Sequence, residues 1–238
     1  MIPLGDSEAA RRLSPANTLL IVGNIAIFGL QVRGSSATLL ARFALVPARI
    51  SHLQWSQPLI SAAVLSTLVS SLFLHAGVLH VAGNMLYLLV FGPAVESRLG
   101  HCRFFGFYLV AGIAACLATV AMAPQSTVPV IGASGAIAGV LGGYFVLYPG
   151  GRISTVLPAS SMFRRVEVPA IIYLLVWFAL QLYSGISSGP QATLLGGVAW
   201  WAHVGGFLFG VAAAPLMAGK PPKQRRAAYQ TKLLRKRR

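Results

Sequence analysis

The chain has 238 residues, of which 56% are hydrophobic and 10% charged, with a mean hydropathy of +0.72. A water-soluble domain carries about 25% charged residues, so this composition excludes an ordinary soluble enzyme and places most of the chain in lipid. A net charge of +15 raises nucleic-acid binding, but the cations gather in short clusters beside apolar segments, the pattern of membrane-flanking loops.

Residues 1–16 read as a cytoplasmic N-terminal segment. Asp6, Glu8, Arg11 and Arg12 precede the first apolar run and no small-residue cleavage site follows it, which argues against a removable signal and for a first span that stays as an anchor. Six apolar spans follow, at about 17–32, 75–95, 104–123, 134–149, 167–186 and 200–218, against a requirement of about 20 helical residues for the hydrocarbon core. Helices are expected because backbone groups in lipid must be paired within the segment. The segments are apolar all round and lack the alternation of a membrane barrel. Residues 33–74, with Pro47, Pro58 and serines at 56, 61, 66, 70 and 71, predict a long loop of short amphipathic helices partly embedded in the membrane. A rival count makes 58–74 a further span. Residues 219–238 form a basic tail suited to anionic lipid. The expected fold is an all-α, polytopic bundle of six transmembrane helices over 17–218.

Basic residues fall before span one, between spans two and three, between four and five, and after six, so both termini are expected in the cytoplasm. Only Arg33, Arg42 and Arg49 fall on the other side. Spans two, four and six then run in one direction and their depths can be compared. At 1.5 Å per residue, Ser134 lies about 22 Å from Pro149 and His203 about 20 Å from Leu216. Asn84 and His80 lie about 18 and 24 Å from Glu96 by the same rise. All four belong to one layer toward the outer face.

Polar groups at that depth are costly and mark function. Ser134, in Gly132-Ala133-Ser134-Gly135, and His203, in Ala202-His203-Val204-Gly205-Gly206, supply a hydroxyl nucleophile and a base to take its proton. Gly139 and Gly143 on one span, and Gly206 and Gly210 on the other, allow the close approach the couple needs. The four acidic residues, Asp6, Glu8, Glu96 and Glu167, lie far from the layer, so a dyad is expected and not a triad. His80 and Asn84, four apart on one helix face, can both donate to a developing oxyanion. His75 reads as an interfacial structural group, and Trp200 and Trp201 as markers of the outer interface. Trp177 and Phe178 read as packing residues. Metal ligation by His75, His80 and His203 lacks the two-histidine helical motif with an intervening glutamate, so no metal and no cofactor is expected. One aspartate cannot build a two-aspartate site. Cys102 and Cys116 are too few for a disulfide framework.

Gly132-Ala133-Ser134-Gly135, Ala202-His203 followed by Gly206 and Gly210, the run from His75 through His80 to Asn84, and Glu96-Ser97-Arg98-Leu99-Gly100 together resemble the rhomboid intramembrane serine proteases, in their basic six-helix bacterial form. The resemblance covers about 75–210, in order and in spacing. It implies Ser134 as nucleophile, His203 as base, and His80 and Asn84 with the Ser134 N–H as oxyanion donors. It implies transmembrane proteins as substrates, cut near their outer ends, and a cell-membrane, multi-pass location. It also implies a mobile cap over 187–199 and a lateral gate between spans two and five. The family often carries an aromatic residue four after the nucleophile, packed on the histidine; here that position is Ala138, and another ring, such as Tyr144 or Phe207, would have to serve. A non-catalytic relative that binds client helices is the alternative reading.

Overall fold

The computed structural model describes residues 2–8, 14–34, 36–54, 56–159, 162–188 and 199–219. Among these, five helices are long and apolar enough to cross a membrane: α1 (Pro15–Arg33), α5 (Val78–Leu99), α6 (His101–Met122), α8 (Ala170–Ser188) and α9 (Trp200–Met217). The fourth expected span is a shorter helix, α7 (Ser134–Leu147). Its 14 residues reach about 21 Å, shorter than the 18 to 22 residues of the five long helices. Ten of its residues are buried, from Gly135 through Tyr144; packing by surrounding helices compensates for its length.

The segment between α1 and α5 holds three short helices, α2 (Ser36–Phe43), α3 (Pro47–Ser51) and α4 (Pro58–Ser70). Prolines start α3 and α4 in the first helical turn, where a missing N–H costs nothing. Helix α4 has 13 residues and continues into a 3-10 turn at Ser71–Phe73; like α7 it is apolar but shorter than the five long helices.

Helix α7 sits at the centre, against α9, α6 and α5. The contact with α9 is backbone-close: a Cβ on Gly206 would collide with the Gly135 carbonyl, and one on Gly210 with the Gly139 carbonyl. Helix α1 is held by polar groups seven residues apart on its buried face. Asn17 donates to the Leu88 carbonyl at 3.1 Å, Asn24 to its own helix at Leu20, and Gln31 to the His75 carbonyl at 2.6 Å. The start of α1 is capped by Glu96 of α5, only 1% exposed, which accepts from the N–H groups of Ala16 (3.1 Å) and Asn17 (2.8 Å). A buried carboxylate at a helix N-terminus satisfies orphan donors and the helix dipole together.

The sequence does not anticipate one feature at the α7–α8 connection. Strand β2 (Arg152–Ala159) pairs antiparallel with β3 (Met162–Pro169), and β1 (Ile2–Asp6) adds to the other edge of β2. The alternation is legible afterwards: Ile153 and Thr155 are buried against the bundle, while Arg152, Arg165 and Glu167 face outward. The bundle itself remains the all-α membrane fold expected.

Candidate functional site

The site lies where the N-terminus of α7 meets α5, α8 and α9. Ser134 opens α7, after a loop that turns at Gly132 with φ 118°. Side chains rarely adopt that φ, and a Cβ there would also press on the His80 ring at 2.8 Å. The Gly132 N–H is fixed by the Ser71 carbonyl at 2.9 Å. The first-turn N–H groups of α7 have no carbonyl partner within the helix, and Ser134 at its start is half-buried.

His203, on the first turn of α9 and 7% exposed, brings Nε2 to 2.8 Å from Ser134 Oγ. Its Nδ1 lies 2.6 Å from Gln181 Oε1 on α8. A carbonyl oxygen only accepts, so Nδ1 carries the proton and Nε2 presents its lone pair to the serine hydroxyl. The arrangement is therefore a chain of three groups in which an amide takes the orienting place that a carboxylate often fills. The dyad expected from the sequence lacks this third member. The signal was available: Gln181 is a lone amide in an apolar span, four residues after Trp177 and so on the same face.

The aromatic support also differs from expectation. Trp177 lies against the imidazole with ring centroids 5.8 Å apart and planes at 34°, and Trp200 meets it edge-on at 6.2 Å. Phe207 packs on Phe178 at 4.7 Å and backs Trp177 at 6.0 Å. Tyr144 packs on Phe91 and Tyr148, away from the site. Trp177 thus touches the site residue, and is more than the packing group the sequence suggested.

His80 and Asn84 come to Gly132 as their spacing requires. His80 Nδ1 accepts weakly from the Ala76 N–H at 3.4 Å, which leaves Nε2–H as the donor turned to the Gly132 side. Asn84, 8% exposed, donates one amide hydrogen to His75 Nε2 at 2.9 Å. His75 is fully buried, and its backbone N–H donates to Gln31 Oε1 at 3.1 Å. A polar line therefore runs from the last turn of α1 through His75 to Asn84, a second connection absent from the sequence reading. Among the described residues, no group of three or more His, Cys, Asp or Glu gathers as a metal site. The cap expected over 187–199 lies almost wholly outside the described residues.

A central short helix starting on a serine, with a histidine poised beside it inside a multi-pass membrane bundle, defines a class of membrane protein built around a buried polar site. The rhomboid domain profile matches residues 62–220, more than half of the chain, and the chain belongs to the rhomboid family. It is similar to rhomboid protease GluP of Bacillus subtilis (strain 168), 35% identical over 133 residues, 55% of this chain and 24% of that protein. RHOMBOID-like protein 6, mitochondrial, of Arabidopsis thaliana is 27% identical over 154 residues, 65% of this chain and 44% of its own length. Rhomboid protein 1, mitochondrial, of Saccharomyces cerevisiae is 29% identical over 169 residues, 69% of this chain and 45% of its own. The matches thus span less than half the length of each of these relatives.

Proposed function

We propose that this chain is an intramembrane serine endopeptidase that cuts transmembrane segments of membrane proteins. The observation that carries the reading is the Ser134 Oγ to His203 Nε2 approach of 2.8 Å at the N-terminus of a short central helix. His203 takes the Ser134 proton as the hydroxyl oxygen attacks the scissile carbonyl. The resulting oxyanion is met by the Ser134 N–H, the free amide hydrogen of Asn84 and the Nε2–H of His80. His203 then returns the proton to the leaving amine, and water repeats the sequence to release the acyl group. Each preorganised oxyanion donor contributes about 10²–10³ in rate, and the general base about 10²–10⁴. Substrate reaches the serine between α5 and α8, whose Tyr87 and Tyr173 hydroxyls lie 3.2 Å apart.

The positions of the basic clusters support cytoplasmic termini, which puts Ser134 toward the outer face. Residues 1–16, 17–218 and 219–238 serve in this reading as N-terminal segment, protease domain and lipid-facing tail. The experiment is the full chain in proteoliposomes with a tagged transmembrane substrate and a fluorophosphonate probe. Wild type is expected to cleave and to be labelled at Ser134, and Ser134→Ala to do neither. Undiminished cleavage by Ser134→Ala overturns the reading; binding of the substrate helix with neither cleavage nor labelling identifies a non-catalytic client binder.

A further inference from the structure

Beside the site, between α2, α3 and α4 and the loop that leads to α7, lies an open cleft of about 840 Å³, within the about 300–1,000 Å³ typical of small-molecule pockets. Its lining combines the apolar Leu40, Val46, Ile60 and Val64 with the polar Gln54 and Gln57 and the exposed Arg49 and His52. Arg49 Nη1 donates to the Ala41 carbonyl at 3.0 Å and His52 Nε2 lies 2.9 Å from Gln125 Oε1, so both groups are held in place. The cleft adjoins lipid-facing surface: Leu59 is 85% and Ile60 60% exposed on α4.

Charge decides what suits it. Every carboxylate side chain of the protein lies at the other end of the bundle. Asp6 and Glu167 are in the sheet, Glu8 lies beside Gly151, and Glu96 caps the start of α1. The Ser134 end holds Arg33, Arg42 and Arg49 with no carboxylate to neutralise them. A guanidinium fork beside apolar side chains, in a cleft open to the bilayer, matches one ligand chemistry: a phosphate ester attached to an aliphatic chain.

We propose that this cleft binds an anionic phospholipid, with its phosphate on Arg49 and an acyl chain along Leu40, Val46, Ile60 and Val64. Thr127 and Pro129 also line it. The next residue, Val130, pairs with Leu45, and two residues on the Gly132 N–H is held by Ser71. The lipid therefore braces the strand that delivers Gly132 and Ser134.

The test uses the full chain in phosphatidylcholine vesicles carrying a trace of photoreactive phosphatidylglycerol, with cross-links mapped by mass spectrometry. The readout is lipid labelling and is independent of whether the chain cleaves anything. Labelling is expected to concentrate on residues 40–64 and to be displaced by unlabelled phosphatidylglycerol. Arg49→Gln is expected to reduce it about ten-fold, as befits one charge-assisted contact, with Arg49→Lys retaining more. Val64→Trp, which fills the cleft and leaves the cation, is expected to reduce it as well. The proposal is overturned if labelling spreads over α8 and α1 in proportion to exposure, or if both Arg49→Gln and Val64→Trp label like wild type. Displacement by inorganic phosphate alone, or by a transmembrane peptide and not by lipid, also overturns it, since the occupant would then be a free anion or a protein segment.

Discussion

At the residue scale, the imidazole of His203 is determined from three sides: a hydroxyl at Nε2, an amide oxygen at Nδ1 and an indole against the ring face. In the proposed mechanism Gln181 touches no reacting atom and acts through the histidine, whose Nδ1–H its amide oxygen accepts at 2.6 Å. Gln181→Leu is therefore expected to lower kcat by about 10- to 100-fold, part of the general-base contribution, with KM for a transmembrane substrate little changed and Tm close to wild type. A fall in Tm with kcat intact per folded enzyme would assign Gln181 to packing instead. The positions of Ser134, His203, His80 and Asn84 were legible because polar groups stand out against lipid-soluble sequence, and because orientation made their depths comparable. Gln181 and Gln31 were equally conspicuous by that measure. They escaped because an uncharged amide reads as generic helix contact until its partner is known, and Gln181 lies 22 residues from His203 while Gln31 lies 44 from His75.

At the scale of elements, the positions of α7 and α9 follow from glycine spacing. Because Gly206 faces the Gly135 carbonyl, the two helix axes approach until backbone meets backbone, and the serine and histidine then need only short side chains to meet. Gly206→Val forces the helices apart. The expected cost is at least the about 1–3 kcal/mol of an overpacked core, seen as a lowered unfolding midpoint in detergent, together with loss of fluorophosphonate labelling as the hydroxyl leaves the imidazole. An unchanged midpoint with full labelling would show that the contact is slack. The small-xxx-small pairs announced this helix pairing in the sequence. The hairpin of β2 and β3 went unread because eight-residue strands between two apolar helices look like a polar loop when only hydropathy is followed, although Ile153 and Thr155 alternate with Arg152 and Ser154.

For the whole molecule, the two ends are chemically unlike. One holds the sheet and every acidic side chain; the other holds the polar site and three uncompensated arginines. Orientation by basic loops predicts that a green fluorescent protein fused after Arg238 fluoresces, while alkaline phosphatase at the same point stays inactive. The opposite pair of results would invert the bundle and bring the serine to the inner leaflet. The five long apolar helices were readable because most apolar runs are delimited by charge or proline. The shortness of α7 was not, since hydropathy reports how far an apolar run extends and not where its first hydrogen bond closes.

Strand β1 carries a consequence for biogenesis. Its partner, Arg152–Ala159, emerges from the ribosome only after five apolar helices have been synthesised, yet Ile2 must find Val156 and Asp6 must find Ile153. Until then the leading residues have no template, and joining them closes a circuit of some 150 positions. Such remote pairing is slow, so the sheet is completed late, as a clasp that fastens Ile2–Asp6 to Ile153–Val156 once the intervening helices are seated.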